Sequence, residues 1–500
     1  MSSLSPTYPI PNPLFDEEQP FFFNPPEEGD DQLPLKEIPG SYGLPFIGPI
    51  LDRWDFYYNQ GRDGFFQARL DKYKSTVFRA NGPPGPFMAK NPNVIILLDA
   101  VSFPILFDNS KVEKKNVFDG TYMPSVNFTG GYRVCSFLDP SEPKHNALKS
   151  YFFNVLASKH DNFIPVLRKN LTELFDTLES QLSSSKEVNF NPISDSASFN
   201  YVFQLFCDKS PAETVLGPQG NKTVDIWLVP QVIPLVTLGV PKFLQLVEDL
   251  LIHTFPIPAF LVKPKYKTIF EAFSSSASSI LEKAADFGLE RDEACHNLIF
   301  LACFNTYGGL KVLYPSLFKW LGRAGPTWHA NLAKEIRGVV KQEGGVTFAA
   351  LEKMPLLKSV VYEVLRIEPP VPFQYAHAKE DLVIQSHDAS FKVKKGEMIF
   401  GYQPFATRDP KVFENPETFV PYRFMGKAEA NLKYVYWSNG RETEAPTVDN
   451  KQCPGRDLVV LVARVLLVEF FLRYDTFTCE DEVFLVGSKV IFKSLTKAGS

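Results

Sequence analysis

Two short stretches near the C-terminus carry residues that could do chemistry. Trp437-Ser438-Asn439-Gly440-Arg441 comes first, and Asn450-Lys451-Gln452-Cys453-Pro454-Gly455-Arg456-Asp457 follows. An apolar run from Leu458 to Tyr474 comes directly after. A cysteine presented by a Pro-Gly turn at the mouth of a buried helix suits a metal thiolate. The helix N-terminus and Lys451 would both favour the ionised sulfur. Gly455 would leave room for a flat ligand against the backbone. A cysteine of this kind carries little alone, but three more residues stand at telling distances. Glu363-Val364-Leu365-Arg366 puts a carboxylate and a guanidinium three apart on one helix face. Arg423, in Pro421-Tyr422-Arg423-Phe424, could complete a buried Glu–Arg–Arg cluster.

The remaining thiols and imidazoles suggest no other metal. Cys135, Cys207, Cys295, Cys303, Cys453 and Cys479 form no CxxC pair, and the seven histidines show neither HxxxH nor HExxH spacing, which argues against zinc. Such scattered cysteines read as reduced thiols. A net charge of −5 argues against nucleic acid as a partner. The 45 phenylalanines suit an interior that takes a long apolar ligand, and they are also good core material.

The elements that must position these residues are mostly helices. Residues 1–34, rich in Pro and acids, read as a disordered arm, and residues 35–500 as one domain with order from Ile38 onward. Helices are predicted from Phe65 to Tyr73, Lys144 to Leu182, Tyr266 to Gly288, Arg291 to Tyr314, Trp328 to Glu343 and Leu356 to Leu365. Short strands are predicted at Thr76–Ala80, Val94–Leu98, Leu382–Gln385, Ser390–Val393 and Met398–Tyr402. The fold class is therefore mainly α with small β-sheets. Ile226 to Val262 is apolar but cut by five prolines, too broken to span a membrane. It is either a lid over a pocket, the favoured reading, or a surface that dips into a lipid interface, which would make the protein peripherally membrane-associated. The acidic arm lacks a secretory signal and the basic character of a transit peptide. The expected location is therefore cytoplasmic or peripheral membrane, and a plastid is disfavoured.

An ExxR about ninety residues before Cys-x-Gly, with Pro-x-Arg-Phe between them, resembles the haem-thiolate proteins of the cytochrome P450 superfamily, over nearly everything after residue 35. The resemblance implies the cytochrome P450 fold, haem b as cofactor, and Cys453 as the axial ligand to its iron. Two departures are informative. The family's aromatic-x-x-Gly motif ordinarily begins seven residues before the cysteine, whereas Trp437 stands sixteen before it, so nine residues are inserted. Where ordinary members carry an acid and a threonine on the long helix, this chain reads Phe304-Asn305-Thr306-Tyr307-Gly308-Gly309. Without that proton relay, reductive dioxygen activation is poorly served.

These departures, with Thr129-Gly130-Gly131-Tyr132-Arg133 and Asn439-Gly440-Arg441-Glu442-Thr443-Glu444, resemble the plant fatty-acid hydroperoxide branch of the superfamily. That branch contains allene oxide synthases, hydroperoxide lyases, divinyl ether synthases and epoxyalcohol synthases. The resemblance implies that the substrate peroxide supplies the oxygen, with no need for dioxygen, NADPH, flavin or a reductase. Homolysis of the O–O bond would give an alkoxyl radical and an iron-bound hydroxyl. The alkoxyl closes on the neighbouring double bond to leave a carbon radical, for which the hydroxyl is the one-electron oxidant. Oxidation and proton loss then yield an allene oxide, whereas fragmentation yields aldehydes and oxo-acids. Asn305 is the candidate donor to the peroxide, because a carboxamide stays neutral in an apolar pocket. Thr306 and Lys311 are further substrate-binding candidates, Lys311 for the fatty-acid carboxylate. Lys114, His145, Lys149 and Lys451 are candidates for the haem propionates.

Phe118 is the discriminating position, since allene oxide synthases resemble one another in carrying Phe there and lyases typically carry Leu. An aromatic face would stabilise an electron-poor carbon. Dehydration to an allene oxide is thus expected first and hydroperoxide lyase chemistry second. A conventional monooxygenase and a haem-free lipid-binding protein are the readings from other classes.

Overall fold

The computed structural model describes residues 33–484 and 487–499. The acidic and phenylalanine-rich part of the expected N-terminal arm lies outside them. Order begins slightly earlier than expected: Leu35–Lys36 pairs in parallel with Ser390 and Phe391 of the strand Ser390–Val393.

Helices dominate, as the periodicity predicts. One runs without a break over 291–324, built from Arg291–Ile299, a π-helical stretch Phe300–Tyr307, and Gly308–Ala324. This central helix extends ten residues beyond the expected end at Tyr314 and passes through Pro315. A proline there forfeits a backbone hydrogen bond. Leu310, Leu313, Leu317, Phe318 and Leu321 are all essentially buried, and that packing overrides the local penalty. The helices Pro143–Lys159 and Phe163–Ser184 split the expected 144–182 segment, and Phe190–Cys207 packs against the second of them and the central helix.

The largest sheet has five strands in the order Val77–Asn81, Asn93–Leu97, Met398–Tyr402, Phe373–Ala378, Val112–Glu113. Only the pairing of Asn93–Leu97 with Met398–Tyr402 is parallel, with Ile95 opposite Ile399. The first two strands each lie one residue away from their expected bounds. This sheet fixes the functional region at one edge, because Val112–Glu113 pairs with Ala378 and His377 and leads straight into Lys114.

The segment 226–262 is neither one helix nor a simple loop. Gly220–Val232 is a roof helix over the central helix, and a chain of short turns follows it. Trp227, Gln231 and Val262 face inward, while Phe243, Leu251 and Phe260 are exposed. A Cβ on Gly308 would lie 3.4 Å from Leu228 Cδ1, so glycine at that position lets the roof approach closely. Two hydrogen bonds tie the roof to the loop beneath it: Trp227 Nε1–H donates to the Phe128 carbonyl at 2.8 Å, and the Tyr122 hydroxyl to the Gln231 carbonyl at 3.2 Å.

Candidate active site

The cysteine loop rests on the Glu–Arg–Arg cluster. Glu363 and Arg366 lie in the helix Pro355–Ile367 and are both fully buried. Arg366 donates to both Glu363 oxygens, at 2.7 and 2.8 Å, and Arg423 Nε to the same carboxylate, at 2.9 and 3.0 Å. The remaining guanidinium protons go to the carbonyls of Thr407, Glu414, Asn415, Pro416 and Thr418. Charges this deep are tolerated only when their hydrogen bonds are met, and here the cluster fastens 407–423 onto the helix. The chain then leads through Trp437 to Cys453.

Cys453 stands just before the helix Arg456–Arg473, its N–H donating to the Ser438 carbonyl at 2.9 Å. Burial pushes its thiol above the usual range, against the opposing pull of the Gly455 N–H, Lys149 and Arg456. The expectation that Lys451 favours the ionised sulfur is corrected here. Lys451 Nζ turns away and donates to the carbonyls of Cys135, Ser136 and Leu138, at 3.2, 3.0 and 2.8 Å. Only Cys453 Sγ, at 3.8 Å, comes within 4 Å of where a Cβ of Gly455 would stand, which leaves the room a flat ligand needs.

Lys114, His145, Lys149 and Lys451 come together from three separate segments, His145 and Lys149 standing one turn apart on the helix Pro143–Lys159. Lys114 is buried, with Nζ on Gln374 Oε1 at 3.2 Å and Asn439 Oδ1 at 2.5 Å. Lys149 is buried and donates to the Asn450 carbonyl and, at 3.0 Å, to its side-chain oxygen. Burial, opposed in part by the Cys135 thiol, brings Lys149 down to about 8, and burial followed by Lys451 brings His145 down to about 4. Burial and then Lys451 hold Lys114 well below the lysine range. Among the described residues no carboxylate lies within ion-pair distance of any of the three lysines, although ion pairs are plentiful elsewhere. Buried like charges without acids are costly. The donor set therefore fits a bound dianion next to a thiolate, as haem propionates would be.

Asn305 lies in the π-helical stretch of the central helix. It is exposed, although Cys303 and Tyr307 on the same helix are fully buried, so its amide faces open space. Its Nδ2 lies 3.5 Å from Ser136 Oγ, across from the helix, and forms no bond within its own turn. No sequence motif marks Ser136, which lies three residues beyond Thr129-Gly130-Gly131-Tyr132-Arg133. The loop bearing it is anchored by the Cys135 N–H donating to Asn297 Oδ1 at 2.9 Å. The π-helical stretch adds one residue per turn and so redirects its side chains, a feature common at functional positions.

Phe118 is half-buried. Its ring meets Phe304, Phe137 and Tyr122 edge-on at centroid distances of 5.6, 6.0 and 6.3 Å, and Phe304 stacks on Phe300 at 4.5 Å. The result is a rigid aromatic wall beside Asn305. Two substrate-binding candidates come out differently. The Thr306 hydroxyl donates to the Leu301 carbonyl at 2.8 Å and is committed within the helix. Lys311 pairs with Asp195 at 2.9 Å and Asp225 at 2.8 Å and also reaches the Tyr307 hydroxyl. The expectation that it meets a fatty-acid carboxylate is corrected: two carboxylates already hold it, and a third would add like charge.

Comparisons with known proteins agree with this geometry. A family model described as Cytochrome P450 matches residues 324–484. "Allene oxide synthase 3" of Solanum lycopersicum is 56% identical over 95% of this chain and 97% of its own length. "Allene oxide synthase 1, chloroplastic" of the same plant is 52% identical over 93% of this chain and 87% of its own length. The solved structure of retinoic acid-bound cyanobacterial CYP120A1 covers 93% of this chain and all of its own, with a TM-score of 0.66 at 18% identity, and shows the same fold. The word "chloroplastic" in the second name, shared by further matched allene oxide synthases, overturns the expectation that a plastid is disfavoured. The acidic composition of residues 1–34 does not decide the compartment.

Proposed function

The chain belongs to the fatty-acid hydroperoxide branch of the cytochrome P450 superfamily, and on that basis we propose that it dehydrates polyunsaturated fatty-acid hydroperoxides to allene oxides using haem b alone. Dioxygen, NADPH, flavin and a reductase have no part in this reaction. The observation that carries the reading is Asn305: a neutral amide faces the open side of the central helix where an acid–alcohol relay would otherwise stand.

Cys453 would hold the iron, and Lys114, His145 and Lys149 the propionates, while Lys451, the fourth candidate, has its three N–H donors on the carbonyls of Cys135, Ser136 and Leu138 and would contribute its charge alone. Bound there, the haem supplies one-electron cleavage of a peroxide O–O bond, which the electron-rich thiolate promotes. The protein does the rest by placement. Asn305 Nδ2 can donate to the hydroperoxide oxygens, and Ser136 limits how far the amide can rotate. Phe118, Phe300 and Phe304 present an aromatic, water-excluding wall to the carbon chain. An electron-poor carbon formed beside Phe118 is favoured by the ring, which tilts the outcome toward oxidation and proton loss over fragmentation.

The outer face of the lid supports peripheral association with a lipid surface, from which the substrate would enter. Phe243, Leu251, Phe255 and Phe260 are exposed there beside Phe46 and Phe87, and Phe87 lies 5.9 Å from Phe255 between ring centroids. No helix among the described residues is long and apolar enough to cross a membrane.

Incubating the purified protein with 9- and 13-hydroperoxides tests the reading. Ketols and cyclopentenones, formed without added reductant, are expected. Short aldehydes and oxo-acids would replace it with lyase chemistry.

A further inference from the structure

The glycine motif Thr129-Gly130-Gly131-Tyr132-Arg133 supplies no residue to the proposed reaction. It packs on a buried imidazole instead. A Cβ on Gly130 would lie 2.2 Å from two ring atoms of His296, and the φ of +67° there also favours glycine. The imidazole stacks on Tyr132 at a centroid distance of 5.3 Å and on Phe270 at 4.5 Å. The Tyr266 hydroxyl lies 2.6 Å from His296 Nδ1, and both residues are buried. Among the described residues no other tyrosine is hydrogen-bonded to a histidine.

The pair lies on a continuous path of rings. Tyr266 stacks on Trp227 at 5.5 Å, and Trp227 meets Phe304, the wall residue before Asn305, edge-on at 6.3 Å. At the outer end the Tyr132 hydroxyl reaches Glu290 at 3.4 Å in an exposed contact. His296 stands nine residues before Asn305 on the central helix, roughly 13 Å along its axis. Electron tunnelling falls off exponentially with distance, so a transfer over that span is fast only in short hops between oxidisable rings. Trp227, Tyr266 and Tyr132 supply them. Burial brings His296 down to about 4 and holds the Tyr266 phenol well above its usual range, so the pair rests as a phenol beside a neutral imidazole. A phenol that loses an electron becomes a strong acid, and the neutral imidazole nitrogen is already in place to take its proton.

We propose that Tyr266 and His296 form a redox-active relay that carries off the oxidising equivalent left in the site when a substrate radical escapes before it is oxidised. The inference rests on peroxide homolysis at a haem held by Cys453. Tyr266 gives one electron, by way of Trp227, to the hydroxyl-level oxidant that homolysis leaves, and its proton to His296 Nδ1. The oxidant takes that electron and one proton and is released as water. Tyr132 then gives one electron to the Tyr266 phenoxyl radical, His296 returns the proton, and Tyr132 loses its own proton to solvent. A soluble one-electron reductant such as ascorbate restores Tyr132 with one electron and one proton.

The test uses the holoenzyme and its Tyr266→Phe, His296→Gln and Tyr132→Phe variants. Each is mixed with tert-butyl hydroperoxide, which has no double bond for its alkoxyl radical to close on, and freeze-quenched for electron paramagnetic resonance. A tyrosyl radical is expected in the wild type and its loss in Tyr266→Phe and His296→Gln. Tyr132→Phe should keep the radical for longer, because the outer step is cut. With a fatty-acid hydroperoxide, Tyr266→Phe should start at the wild-type rate and inactivate after severalfold fewer turnovers. Ascorbate should prolong turnover only where Tyr266 is present. A tyrosyl signal undiminished in Tyr266→Phe, equal turnover numbers, or a wild type that consumes the peroxide without a tyrosyl radical would overturn the relay and leave the proposed function standing. A wild type without Soret absorption would overturn both, through the haem they share.

Discussion

Replacing Phe118 with leucine should change what the enzyme makes more than how well it folds. The ring is half-buried and held edge-on by Phe304, Phe137 and Tyr122 at 5.6 to 6.3 Å, so its position is fixed before substrate arrives. Leucine keeps the apolar volume and removes the π-face. An aromatic face contributes about 0.5 to 2 kcal/mol to a neighbouring cationic centre, the larger value where water is excluded. At about 1.4 kcal/mol per tenfold, the ratio of allene oxide products to aldehydes should fall by about 2- to 30-fold. Lost ring contacts should cost about 1 to 2 kcal/mol of stability. The assay is chromatography of ketols and aldehydes from one regioisomer at matched haem content. Phe118→Tyr keeps a ring and should keep the wild-type ratio. If Phe118→Leu slows turnover yet leaves the ratio within about twofold of wild type, Phe118 is packing and the electrostatic argument fails.

Three further outcomes follow from buried charge. Lys311→Met strands Asp195 and Asp225 beside each other, so it should destabilise the protein in urea unfolding, by less than the roughly 3 to 5 kcal/mol lost when a fully buried pair is broken, because all three side chains are part-exposed; a raised KM at unchanged stability would instead show that the lysine serves the substrate carboxylate. Lys149→Met should weaken haem retention and yet raise the melting temperature of the apoprotein, because it removes one of three lysines without an acid partner; phosphate or sulfate should stabilise the wild-type apoprotein more than the variant, and equal stabilisation would count against the propionate cradle. Asp119, beside Phe118, is raised to about 7 by burial, so the folded state holds its proton more tightly than the unfolded chain does. Its contribution is therefore full below about pH 4 and lost as pH rises through 7, on the order of 4 kcal/mol. Asp119→Asn should flatten stability over that window in urea titrations at stepped pH, and an unchanged slope would contradict the assignment.

What could be read from the sequence was whatever depends on contiguous residues. Cys453, Glu363 and Arg423 announce themselves because each sits in a short motif whose spacing has one mechanical use. The long helix was visible from its apolar period, though its last ten residues were hidden behind Pro315, where the cost of proline is local and the compensation is tertiary. Side-chain partners across the fold were not legible. Lys311 looks free until Asp195 and Asp225, more than eighty residues upstream, are brought to it by two other helices. Ser136 is an unremarkable serine until the Asn297 side chain fixes its loop opposite Asn305. The direction of Lys451, next but one to the cysteine yet turned from it, follows from three carbonyls that no spacing rule contains.

Those three carbonyls link the two faces of the site. The loop 135–138 offers Ser136 Oγ to Asn305 and its own main-chain oxygens to Lys451. Lys451 lies two residues before Cys453, and Asn305 is the residue proposed to meet the peroxide. One short loop thus references the Asn305 amide and the cysteine loop to the same backbone. Because the contact to Lys451 uses carbonyls and the contact to Asn305 uses a hydroxyl, the two can vary independently: a change of side chain at position 136 alters the hold on the amide while the anchor for Lys451 persists. A branch that derives several products from one radical benefits from that separation. The thiolate side, which the cleavage of the peroxide requires, can stay constant while the side chains above it change.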